Sequence, residues 1–159
     1  MNITSQIAQA LLEVTEGGNW TDSNVADTIK DVSVEEATHR TEASPNTIAS
    51  LIHHLSYWNR VMIQRINGIK VDIPDSNGFD MPVLRTDQDW GNLKKDHFAS
   101  AKELADVIVT VDATRLEQPI LEGYSSVYKN LQGTVEHIHY HLGQILIVKK
   151  LVRAKAVAF

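Results

Sequence analysis

The sequence predicts an all-α protein, a four-helix bundle with long crossover connections. Three observations predict it. Four segments repeat apolar residues at helical spacing. Start and stop signals bound those segments. The connectors between them are long enough to cross the bundle rather than join nearest antiparallel neighbours. The 159 residues suit one domain with one core, expected to span 1–159.

In the first segment Ile3, Ile7, Leu11 and Val14 form the stripe, widened by Ala8 and Leu12, and Gly17-Gly18 closes it. A short helix is expected at residues 33–37, where Ser33 and Glu36 make a capping box. The second long segment is expected to begin near Ser44-Pro45, a cap followed by proline at the first helical position. Its stripe runs Ile48, Leu51, Ile52, Leu55, Trp58, Met62 and Ile66, and Asn67-Gly68 ends it. The third opens at Thr86, with Asp89 in the capping-box role, and shows Trp90, Leu93, Ala101, Leu104, Ala105 and Ile108 on one face. The fourth is expected from about Leu131 to Arg153, on Val135, Ile138, Leu142, Ile145 and Val152. Lys149, Lys150 and Arg153 suit its negative dipole end. Residues 68–86 and 112–130 are the crossovers.

The composition, 43% hydrophobic and 22% charged, is that of a soluble globular chain. A net charge of −5 without a basic cluster weighs against nucleic acid as a partner. No apolar run is long enough for a bilayer, so no membrane partner is expected. The N-terminus lacks a basic region and an apolar signal core, and a cytoplasmic location is expected. With no cysteine, any transition-metal site must use His, Asp, Glu or water.

Histidine spacing supplies the chemistry. His137 and His141 stand one turn apart on one helix face, where two imidazoles can grip one metal ion. His139 points about 160° away, toward solvent or a partner. On the second helix His54 follows the inward row Leu51, Trp58, Val61, whereas His53 follows the more polar row Ala49, Ser56, Arg60. His54 is therefore the better third ligand, and His53 is read as a surface or supporting group. A single histidine near an apolar face is usually structural; three inward imidazoles with no partner would be expensive to bury. Position 138 is Ile, where the zincin motif His-Glu-x-x-His places its general base, so a metalloprotease reading fails. Glu136 is expected to be exposed.

Gln144, one turn beyond His141, is placed to hold a bound water or orient a ligand, with a plain structural hydrogen bond an equal alternative. Asn59 and Tyr140 are weaker candidates for the same supporting role. His97 is read as structural or pocket-edge, and His39 as a loop or surface residue. Trp20, Trp58 and Trp90 are read first as core aromatics and second as pocket walls.

Several stretches resemble the DinB/YfiT-like family of metal-dependent enzymes. Residues 18–27, Gly-Asn-Trp-Thr through Asn-Val-Ala-Asp, resemble the family's opening after the first helix, and Val32 to Ala37 resemble its short helix. Residues 44–58 resemble its first ligand segment, with Trp58 four places beyond His54. Residues 137–145 resemble the second, His-x-x-x-His-x-Gly-Gln-Ile, departing at Leu142, where an Arg is frequent. The resemblance implies a four-helix bundle, a three-histidine divalent-metal site on His54, His137 and His141, and a homodimer. It implies a small-molecule substrate as partner, with a low-molecular-weight thiol among the options. Relatives include thiol S-transferases and a maleylpyruvate isomerase, but fold alone does not deliver function.

Three neutral histidines leave coordination positions open, so that a bound water or thiol becomes a nucleophile near neutral pH. Zn or Ni suits the ligands first, and Mn or Fe is compatible. The expected function is that of a metal-dependent thiol S-transferase or hydrolase. The alternatives are a non-catalytic metal or small-molecule binding protein, or a structural helical module whose histidines merely pack.

Overall fold

A computed structural model describes residues 2–156; the remaining ends of the expected domain lie outside the described residues. The elements are α1 (Ile3–Glu16), α2 (Val25–Ile29), α3 (Val34–Thr38), α4 (Ile48–Ile66), α5 (Asp87–Val109), a 3-10 turn (Ala113–Arg115) and α6 (Val127–Ala156). There is no named strand among the described residues. The four long helices, α1, α4, α5 and α6, form the bundle, and each packs mainly on two others: α1 and α4 both contact α5 and α6.

Several boundaries follow from caps readable in the sequence. Ser33 and Glu36 close the capping box of α3, and Thr86 and Asp89 that of α5. The start of α4 differs from expectation. Ser44 Oγ accepts the Asn46 N–H at 3.1 Å, a local turn, and the helix begins only at Ile48, capped by Thr47 with Ser50 in the capping box. The last helix starts before Leu131, at Val127, with Ser126 Oγ accepting the Lys129 N–H at 3.2 Å. The five-residue α2, capped by Asn24, is an addition too short to show periodicity.

Only the first of the two expected crossovers forms; residues 110–126 instead join α5 to α6 at one end of the bundle, where Ile66, Val111 and Val127 line one small cavity. Ser56 of α4 meets His97 of α5 at 3.4 Å, and Asn59 meets Ser100 at 3.1 Å. Both numbers rise together, so α4 and α5 run parallel, and residues 67–86 must return the chain along the bundle. Against α6 the order reverses: His54 meets His137 and His141, whereas Met62 shares a cavity with Lys129 and Asn130. Those two helices are antiparallel.

The core is one cluster built from all four long helices, including Leu11, Leu55, Leu104 and Ile138, each essentially inaccessible. Trp90 is buried, and its indole N–H donates to Val32 O at 2.8 Å, tying α5 to the α2–α3 connection. At the far end of α6, Lys149 pairs with Asp31, and Arg153 pairs with Asp31 and Glu36. These cations bind neighbouring carboxylates across the bundle as well as suiting the dipole of their own helix. No helix among the described residues is long and apolar enough to cross a membrane.

Candidate metal centre

The antiparallel register of α4 and α6 brings His54, His137 and His141 to one point. His54 and His141 are buried and His137 is half-buried. His137 Nε2 lies 3.0 Å from His54 Nε2 and 3.0 Å from His141 Nε2. Their possible ligand atoms all lie within 4.8 Å of one another. For comparison, bonds of 2.0–2.1 Å at tetrahedral angles put ligand nitrogens roughly 3.3 Å apart.

The other ring nitrogens decide what those Nε2 atoms offer. His54 Nδ1 faces the Asn77 backbone carbonyl at 2.7 Å, and a carbonyl can only accept. Nδ1 of His54 therefore carries the proton, and its Nε2 presents a lone pair. His141 Nδ1 donates in the same way to Gln144 Oε1 at 2.8 Å. A single Nε2 proton on His137 could serve only one of its two neighbours. A shared cation satisfies all three at once, and oriented imidazoles of this kind are what metal sites use. The residues present therefore fit a divalent metal.

The electrostatics agree. Burial pushes the His137 imidazole down to about 3, with further lowering from His141 and His54. Burial also lowers His54 and His141, against the opposing hydrogen bonds from Asn77 and Gln144. All three are thus neutral at physiological pH, the form that ligates metal. Among the described residues no carboxylate joins the cluster, so a bound divalent ion would keep its full charge there for acidifying a substrate group.

A strap across α4 supplies the support. Asn77, in the left-handed region at φ 50°, accepts from His54 through its carbonyl and from the Trp58 indole N–H through Oδ1 at 3.1 Å. The next carbonyl, Gly78 O, faces His53 Nδ1 at 2.8 Å. Gly78 has φ 76°, and a Cβ there would stand 2.6 Å from the Tyr57 ring, so only glycine lets the strap lie this close. Phe79 then stacks on His54 with centroids 4.2 Å apart. Sequence reasoning missed Asn77 and Phe79. Asn77-Gly78 is a turn signal, but nothing in it says which imidazole the turn covers.

The remaining candidates separate. His53 is half-buried and holds the strap, not the cluster. Its row is mixed: Ala49 and Ser56 are buried, Ser56 against His97 of α5, while Arg60 is exposed. His139 is half-buried, its Nδ1 3.0 Å from Val135 O, and it stays out of the cluster. Gln144 orients His141. Tyr140 is 64% exposed with its ring edge-on to His141 at 4.9 Å. Asn59 donates to Ser100 and lines the cavity beside His137. His97 is fully buried between α4 and α5; His39 and Glu136 are exposed. The tryptophans divide three ways. Trp90 is core, Trp58 walls a cavity, and Trp20 is 96% exposed, contrary to its first reading as a core aromatic.

The cavity, about 320 Å³, lies between α4 and α6 and ends at His137. Trp58, Met62 and Gly133 give it apolar walls, and Asn59, Thr134 and Lys129 add polar groups.

No curated protein and no solved structure matches the chain significantly. A family model does, that of the DinB superfamily, over residues 19–145, a span holding all three clustered histidines and the strap. The chain therefore belongs to the DinB superfamily.

Proposed function

We propose that this protein is a divalent-metal-dependent enzyme acting on a small molecule, with His54, His137 and His141 as the metal ligands. The observation that carries the reading is the convergence of three Nε2 atoms, two fixed by Nδ1–H donors, at the end of an accessible cavity. Zn or Ni is the favoured metal on ligand softness. When bound, it supplies Lewis acidity that lowers the pKa of a coordinated water or thiol.

The chain's own residues do the rest. Asn77 and Gln144 hold two ligand rings in their working tautomers. Trp58 and Phe79 pack on the ligand rings and screen them from bulk water. Among the described residues no acidic side chain lines the cavity, so proton removal falls to solvent at the cavity mouth. Thiol transfer is the preferred reaction and hydrolysis the second. In the first, a C–S bond forms at an electrophilic carbon, the leaving group departs with its electron pair, and the thiol proton passes to solvent.

Elemental analysis of untagged protein, then turnover of several thiols with a chloride-bearing electrophile, tests this. One metal per chain, lost in His54→Ala and His137→Ala, with turnover lost on chelation and restored by metal, is the expected result. Absence of metal in the wild type, or full metal content in the variants, rejects the site. Bound metal without turnover in either the thiol or a hydrolase assay leaves the non-catalytic binding protein as the answer.

A further inference from the structure

We infer that the cavity between α4 and α6 takes an organic carboxylate, its charged end held by Lys129 and Ser125 and its other end at the His137 edge of the cluster. This rests on the metal-dependent reading and adds the substrate class to it. The cavity has the polarity for it. Lys129 lines its mouth, and among the described residues no Asp or Glu does. Behind the Trp58 wall, the Arg65 guanidinium lies 5.3 Å from the Trp58 ring and 5.0 Å from the Tyr124 ring. Its Nε is buried and has no hydrogen-bond partner. Neither cation forms an ion pair among the described residues. In a chain of net charge −5, an unpaired lysine on a carboxylate-free cavity, with a second unpaired cation stacked on its Trp58 wall, favours an anion.

The free donors narrow the anion. The first amides of α6 are already used: the Val127 N–H by Gln118 O at 2.8 Å, the Tyr128 N–H by Leu116 O at 2.9 Å, and the Lys129 N–H by Ser126 Oγ at 3.2 Å. The Asn130 amide donates to Ser125 and Ser126. Ser125 Oγ accepts from Asn130 and keeps its own O–H to give. The exposed donors at the cavity are one ammonium and one hydroxyl, with the second N–H of the buried Asn59 the remaining one, a match for one carboxylate rather than a phosphate dianion. Lys129 and His137 stand eight residues apart on α6, a rise of about 12 Å. Trp58, Met62 and Gly133 line the interval, which suits a short apolar chain between carboxylate and reacting group.

Calorimetric titration of the zinc-loaded protein with 6-mercaptohexanoate and with 6-mercaptohexan-1-ol tests it. The carboxylate should bind at least about tenfold more tightly. Lys129→Met should erase that preference and Lys129→Arg keep most of it, both at unchanged zinc content. Equal affinities, or a preference surviving Lys129→Met, overturn the inference. Tighter, Lys129-dependent binding of 6-mercaptohexyl phosphate overturns the assignment to a carboxylate. Hexanoate and hexan-1-ol, titrated into metal-free protein, separate the two readings. A Lys129-dependent preference for hexanoate supports the carboxylate subsite even if the thiol probes gain nothing from zinc, a result that rejects the metal reading alone.

Discussion

The two faces of α4 bury imidazoles in opposite ways. Toward α6, His54 joins His137 and His141 with lone pairs converging and Nδ1 protons fixed. Toward α5, His97 is fully buried as well, but alone. Its Nδ1 sits 3.4 Å from Ser56 Oγ, and its Nε2 has no partner. Burial pushes His97 down to about 4, and His137 to about 3 for the same leading reason. A depressed histidine pKa therefore does not mark a site here. Convergence does, together with the support that aims each ring.

The largest expected effect breaks the two faces apart. His137→Ala should abolish stoichiometric zinc binding, since His137 is the ring that both others face at 3.0 Å. His97→Ala should leave zinc content intact and lower stability by about 1–3 kcal/mol through lost packing and exposed seam polarity. Zinc content by mass spectrometry and denaturant midpoints measure both. Equal zinc loss in the two variants would erase the distinction.

Next in size is acid sensitivity on the His97 side. Its folded pKa, about 4, lies below the ordinary 6.5, so the unfolded chain takes up the proton first. Stability from this group is complete above pH 6.5 and is lost as pH falls from there to about 4. Burial leads, with Asp96 opposing it and Arg60 adding to it. The shift corresponds to roughly 3 kcal/mol at most. Urea midpoints of metal-free wild type and His97→Leu, compared between pH 7 and pH 4, should converge by up to that amount or cross. Parallel pH profiles would show that His97 carries no such linkage.

A smaller effect probes the support on the other face. Gln144→Leu removes the acceptor of the His141 Nδ1–H and should weaken zinc about 10–100-fold. Competition with a chromophoric chelator reads it. Unchanged affinity would mean that packing alone aims His141.

These contrasts also show what the sequence could display. The i,i+4 pair and the helical phase of His54 were legible, because each is a property of one helix. The capping boxes at Ser33 and Thr86 were legible for the same reason. Ser44-Pro45 misled, since its hydroxyl caps a turn, and the Thr47–Ser50 box uses Ser where Glu is the usual signal. The Asn77 strap was hidden for a deeper cause. The group that orients His54 is a backbone carbonyl, which any residue owns. The row through His53 and Ser56 read as the more polar one, with His53 a surface or supporting group; His53 supports the strap, and Ser56 is buried where α4 and α5 pack, a seam that periodicity alone does not distinguish from solvent.

The smallest prediction tests how little holds His97. Ser56 Oγ already donates to Ile52 O at 2.9 Å within its own helix. Its contact with His97 Nδ1, 3.4 Å, is beyond the usual N–H···O range. Ser56→Ala should then cost less than about 1 kcal/mol, well below the cost of stranding a fully bonded buried donor. Zinc affinity should not change, because Ser56 faces α5 while His54 faces α6. A loss above about 2 kcal/mol in the same urea titration would mean that the hydroxyl is the principal partner of His97. A shift in zinc affinity would show that the two faces of α4 are coupled, and that the seam with α5 positions His54 as much as the strap does.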